Sequence, residues 1–277
     1  MMKSNSTKVW LFILLTSIAL LILGHQLANR LGLFVGLFLA LTMNFFLFFY
    51  GENRLLEKLG AKRWRGQDPW GLNVLLTATC EKLAIKKPML CVFEHNSVAA
   101  FSIGLPWGRS SIAFSTGLLK KLSAAEIEAV LVHQVCHIQR LDSFLFGVSS
   151  LLANSIVGFG DFLDQFWIPN FFFQKKQKIF RTLLSPLGWI IIKSVVRNRV
   201  YFENDLLAAE LIEDRRRLAE VLWRLDALSE NTPRLVPACT SHLFIINPEG
   251  LLQKNMFLKS HPPTSERIKR LIGYYPI

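Results

Sequence analysis

Apolar residues gather into two long runs at the start of the chain. Residues 9–24 follow Lys3 and Lys8, and residues 31–50 carry no charge. At about 1.5 Å per residue the second run is long enough to cross a bilayer. Two spans so close together predict a transmembrane hairpin over residues 1–50. A signal peptide is the alternative for the first run alone, but the residues around Gln26 and Ala28 make a poor cleavage site.

After Asp68 the pattern changes to that of an α/β domain. Residues 73–83 have helical periodicity. Pro88 precedes the strand-like run Met89-Leu90-Cys91-Val92-Phe93. Residues 99–103 and 111–114, joined across the Gly104 and Gly108 turn, predict a β-hairpin. Ser123 and Glu126 form an S-x-x-E capping box, so a helix is expected from there to about Gln139, with Ile127, Val130, Leu131 and Val135 on one face. Two further apolar runs, 144–159 and 183–196, flank Asp161, Asp164 and the basic stretch Lys175-Lys176-Gln177-Lys178. A full second hairpin would put those lysines outside, so spanning, re-entrant and interfacial placements all stay open. Residues 202–228 predict one long charged amphipathic helix.

Composition sharpens this picture in two ways. Of the 277 residues 51% are hydrophobic, more than a soluble core needs. The net charge of +12 concentrates around the first hairpin: Lys3 and Lys8 precede it, while Arg54, Lys58, Lys62, Arg63 and Arg65 follow it. By the positive-inside rule, both hairpin ends and the domain at 51–277 face the cytoplasm. The same charge therefore needs no nucleic-acid partner. Cys80, Cys91, Cys136 and Cys239 form no C-x-x-C pair and read as reduced, buried thiols.

The chemistry sits in the capped helix. His133 and His137, four residues apart, project from one face and can grip a metal between them, though taken alone they also read as a chance surface or core pair. In an H-E-x-x-H peptidase the residue after the first histidine is the glutamate that takes a proton from metal-bound water. Here it is Gln134, and a neutral amide cannot take that proton. Cys136 reads as packing beneath the helix rather than as a ligand. His25, His95 and His242 have no motif around them and read as structural or exposed.

Several stretches around this pair are similar to HtpX-type membrane zinc metallopeptidases. They are Thr116-Gly117-Leu118-Leu119 leading into Glu126, Glu128 and His133; Leu59-Gly60-Ala61 after the second apolar run; Ala100-Phe101 with Gly104; and His261-Pro262-Pro263-Thr264-Ser265-Glu266-Arg267-Ile268, close to that family's H-P-P-x-x-E-R-I. The resemblance runs in order along nearly the whole chain. It implies a mostly α domain with a small β-sheet (α+β), zincin-like, attached to transmembrane helices, with a hydrophobic insert at about 143–197.

The family takes its third zinc ligand from the glutamate of E-F-x-A-D. The matching residues are Tyr201-Phe202-Glu203-Asn204-Asp205, so Tyr201 stands at the ligand position. A tyrosine binds zinc only as phenolate, at a cost set by a reference pKa near 10. Asp205 reads either as a partner that orients a histidine or as a helix-dipole aspartate. His261 reads as a turn residue, or as the third member of a His133, His137 and His261 zinc set. Loss of both acidic positions implies a pseudopeptidase that binds or regulates unfolded membrane polypeptides, with an active peptidase relative as a further partner. Ser111, Ile112, Ala113 and Phe114 are the expected edge strand for such a chain. The alternative is an active zinc endopeptidase of membrane protein quality control with an altered site.

Overall fold

The structure, a computed structural model, describes residues 6–49, 51–105, 108–167, 178–234, 236, 239–250 and 261–274. These residues are mostly helical, with one small four-stranded sheet.

Helix α1 (Ser6–Phe49) breaks at Ala28 and Asn29, where Asn29 takes a left-handed φ of 48°. Its two arms, each roughly 30 Å long at 1.5 Å per residue, fold back against each other. A Cβ on Gly24 would lie 2.1 Å from the Gly32 carbonyl oxygen, so the backbones meet where side chains are missing. Gly32, Gly36 and Ala40 repeat every fourth residue and are buried in that seam, the small-residue packing that lets membrane helices approach. The Asn44 amide donates to Ser17 Oγ across the seam at 3.1 Å. Outward, Leu14, Leu31, Phe34 and Phe38 are exposed, a surface suited to hydrocarbon rather than water.

Helix α2 (Gly51–Leu59) leads into the sheet, formed by β1 (Lys62–Arg63), β2 (Met89–Phe93), β3 (Ala100–Gly104) and β4 (Ser110–Ser115) in the spatial order β1-β2-β4-β3. The expected hairpin is β3 and β4, paired antiparallel. The expected edge strand is not an edge. Ser111, Ile112, Ala113 and Phe114 lie on β4, which pairs in parallel with β2 on its other side, so its backbone donors and acceptors are shared between two neighbours. Its side chains alternate between two cores. Ile112 and Phe114 face Ile127, Val130 and Leu131 of helix α5 (Ala124–Gln139). Ala113 faces Leu55 and Leu59 of α2 and Phe144 of helix α6 (Asp142–Trp167), and Ser111 Oγ donates to Glu52. Helices α3 (Leu72–Lys82) and α4 (Thr116–Lys121) complete the region before α5.

Helix α5 starts where the capping box demands. The Ser123 amide donates to Glu126 Oε2 at 2.7 Å, and Ser123 Oγ accepts from the Glu126 amide.

Helix α6 is long and apolar enough to cross a membrane, as is α1. It packs antiparallel on α7 (Ile179–Val195): a Cβ on Gly160 would meet Arg181 Cα at 2.8 Å, and one on Gly188 would meet the Ala153 oxygen at 3.2 Å. Asp164 accepts from the backbone amides of Phe180 and Arg181 and so caps α7. The expected basic stretch at 175–177 lies outside the described residues.

The single long helix expected at 202–228 is two, α8 (Asn198–Ile212) and α9 (Arg215–Asn231). Glu213 turns left-handed at φ 58°, and the Asp214 carboxylate accepts from the Arg217 amide to start the second helix. Helix α10 (Thr264–Ile272) closes the domain against α8 and α9.

Candidate active site

Helix α5 carries His133, Gln134 and His137 into the interior, with α8 packed along it. At the first histidine, Nε2 lies 2.9 Å from Asp205 Oδ1. Asp205 is gripped by Arg267, whose Nε reaches Oδ2 at 2.8 Å and whose Nη2 reaches Oδ1 at 2.7 Å. The remaining guanidinium nitrogen, Nη1, donates to the Ile245 carbonyl at 2.6 Å. Burial alone would raise the Asp205 carboxyl, but Arg267 and His133 together hold it well below the usual carboxylate range. Burial pushes His133 down to about 4, against the pull of the Asp205 bond, so the ring is neutral at pH 7. A neutral ring facing a carboxylate keeps its proton on Nε2. Its Nδ1 is then a bare lone pair, buried and without a partner.

The second histidine faces a different carboxylate. His137 Nδ1 is 3.3 Å from Asp142 Oδ2, an oxygen that also accepts from Arg140 Nε at 3.1 Å. Arg140 continues to Glu203. The two imidazole rings stand edge to face, 4.9 Å between centroids. Gln134 is 1% exposed, and neither end of its amide has a hydrogen-bond partner among the described residues.

Tyr201 is fully buried on α8 and donates its hydroxyl to the His242 carbonyl at 3.0 Å. Burial raises its phenol far above the ordinary value, which removes phenolate at neutral pH. Its ring lies 6.2 Å from His137, 5.7 Å from Phe146 and 5.1 Å from His261. His261 does not turn its Nε2 to the pair on α5. That atom donates to the Phe244 carbonyl at 2.8 Å. His242, expected to be structural or exposed, is buried beside the site, with Nε2 donating to the Phe146 carbonyl at 3.0 Å.

These positions decide whether zinc fits. A catalytic zinc takes three protein ligands and keeps a fourth position open. Here His133 Nε2 is engaged with Asp205 and lies 3.4 Å from the Arg267 guanidinium. The Tyr201 hydroxyl and His261 Nε2 are turned to backbone oxygens. Among the described residues no three His, Cys, Asp or Glu side chains could share an ion. The anticipated His133, His137 and His261 set is not assembled: His133 keeps only its Nδ1 lone pair free, and with Tyr201 protonated the residues present supply fewer than the three ligands a zinc ion takes. A cavity of about 280 Å³ lies between α9 and the His261–Arg267 segment, lined by Asp226, Glu230, Asn247 and Pro263 among others; His133, Gln134 and His137 are not in its lining.

Comparison with known proteins shows the family of this chain. The model of peptidase family M48 matches residues 72–274, well over half of the chain. The chain belongs to peptidase family M48. It is 26% identical over 280 residues to the protease HtpX homolog of Pelotomaculum thermopropionicum, covering 96% of this chain and 98% of that protein. It is 29% identical over 283 residues to protease HtpX of Legionella pneumophila strain Lens, covering 95% and 98%. The crystal structure of S. mikatae Ste24p aligns with 96% of this chain and 64% of that one, at 18% identity and a TM-score of 0.46. With α1 and α6 long and apolar enough to span, this is a membrane protein of the M48 metallopeptidase family.

Four site residues escaped the sequence reading. Arg267 was visible only as a letter in the H-P-P segment. Asp142 and Arg140 follow the second histidine within five residues, a spacing that carried no meaning until α5 ended at Gln139 and the chain turned left-handed at Leu141, φ 67°. His242 had no local signal at all.

Proposed function

We propose that this M48 protein has lost peptidase turnover and serves as a pseudopeptidase that binds or regulates unfolded membrane polypeptides. One observation carries the reading. The residue after His133, where the family's chemistry needs a carboxylate, is a buried glutamine. An amide takes no proton from water at neutral pH, and loss of a general base commonly costs about 10²- to 10⁴-fold in rate. Tyr201 at the third ligand position works in the same direction. The basic residues that flank the first hairpin support a cytoplasmic domain.

Ser111, Ile112, Ala113 and Phe114 no longer serve as the binding edge in this reading, since β4 is interior. A client polypeptide or an active M48 relative would have to meet another surface.

Detergent-purified protein incubated with a denatured substrate and zinc, beside an active HtpX, tests the reading. No cleavage is expected. Cleavage by the wild type that disappears in His133→Ala would show a working peptidase and contradict it.

A further inference from the structure

We infer that Tyr201 does the structural work that a metal ion does in a zinc site, so that the domain folds without zinc and excludes it. The inference rests on the pseudopeptidase reading and goes beyond it, because a dead peptidase could still hold a structural ion.

A bound zinc joins elements that are far apart in sequence, and it does so with strong directional bonds. Tyr201 joins the same kind of set with one hydrogen bond and its ring. It sits on α8. Its hydroxyl fixes the His242 segment. Its ring touches His137 of α5, Phe146 of α6 and His261 before α10, and the Arg267 guanidinium lies 5.6 Å over it. Five separate segments therefore meet on one side chain that is 0% exposed.

The same contacts deny a metal its ligands. A carboxylate at 201 would offer an anionic oxygen beside His137. A phenol whose proton is committed to a carbonyl offers none, and its ring fills the space between His137 and His261. His133 Nε2 faces Asp205, so that ring keeps only its Nδ1 lone pair, and two histidines without an anionic third ligand make a poor zinc site. His137 thus packs against Phe146 and Tyr201, while His133 is held on Asp205.

The test uses the full-length chain in detergent, with zinc ion alone as the probe. Zinc per chain and melting temperature are measured for wild type, Tyr201→Phe and Tyr201→Glu, with and without a chelator. The wild type and Tyr201→Phe should hold no stoichiometric zinc after dialysis against it, and a chelator should leave their melting unchanged. Tyr201→Phe should melt lower, because the His242 bond is gone. Tyr201→Glu should melt lower still without zinc and regain stability with it, binding about one ion per chain, an effect that His137→Ala abolishes.

Stoichiometric zinc in the wild type, released by His133→Ala, would overturn the inference while leaving the loss of turnover standing. So would a Tyr201→Glu protein that folds as well as wild type and takes no zinc. If Tyr201→Glu does not fold at all, the other two proteins decide: zinc in either overturns the inference, and zinc-free folding with lowered melting of Tyr201→Phe supports it. Cleavage of a denatured substrate by wild type would instead sink the reading beneath it.

Discussion

The first hairpin and the α5 site dispose their polar groups in opposite ways. In α1 the outward surface is Leu and Phe, the seam is Gly24, Gly32, Gly36 and Ala40, and the Asn44 side chain hydrogen-bonds to Ser17 across it. Around α5 the interior holds His133, His137, Asp205, Arg267, Arg140 and Asp142, nearly all buried and bound to one another. The hairpin depends on what surrounds it, since lipid must cover its apolar face. The site depends on its own partners, since each buried charge is costly unless a particular other side chain meets it. Damage should therefore spread differently in the two regions.

The largest effect is expected at Arg267. Arg267→Met keeps much of the volume but leaves Asp205 buried without its cation, and breaking a buried pair this way costs about 3–5 kcal/mol. Thermal melting in detergent should fall sharply or be lost. A variant that melts like wild type would mean that the Asp205 pair is not holding the domain.

Acid should act on the same region with somewhat smaller force. His133 and His242 are both pushed down to about 4 by burial, from an ordinary 6.5. The unfolded chain then binds protons that the folded one refuses. Stability is full above about pH 6.5 and is lost progressively as the pH falls toward 4, by an amount on the order of a few kcal/mol. Below that, protonation of Asp205 in the unfolded chain removes more, because its folded carboxyl is held lower still. Melting curves from pH 7.5 to 4.5 check this. His242→Gln should flatten the slope, and an unchanged slope would remove His242 from the account.

The hairpin offers the contrasting case. A Cβ on Gly32 would sit 1.8 Å from the Gly24 carbonyl oxygen, so Gly32→Leu must part the arms at a cost of about 1–3 kcal/mol. Disulfide cross-linking between Ser17→Cys and Asn44→Cys should drop, while melting of the domain that contains α5 stays where it was. A fall in both would show that the two regions are not energetically separate.

The same contrast explains what the sequence made readable. The hairpin, the capping box at Ser123 and Glu126, and the β3–β4 pairing are all local, and each follows from a short pattern. The order of the strands is not local. A hairpin pattern states that β3 and β4 pair, but not which of them lies against β2, and the choice of β4 cost the edge-strand expectation. The break between α8 and α9 was hidden because a glutamate, not a glycine, takes the left-handed turn at 213. Within the site, Gln134 and Tyr201 could be read as departures because motif positions identify them. The partners of His133 could not, since Asp205 is 72 residues away and Arg267 is 134. Only folding shows that the Tyr201 hydroxyl ends on a backbone oxygen.

The histidines around α5 are enclosed in the domain, not presented to water or substrate. Histidine modification by diethyl pyrocarbonate, mapped by mass spectrometry on the native full-length protein in detergent, tests this most directly. His133 and His242, 0% and 1% exposed, should react only as fast as the domain opens, and Arg267→Met should release both. Modification of His133 in the folded wild type at the rate of an unfolded chain would contradict the account.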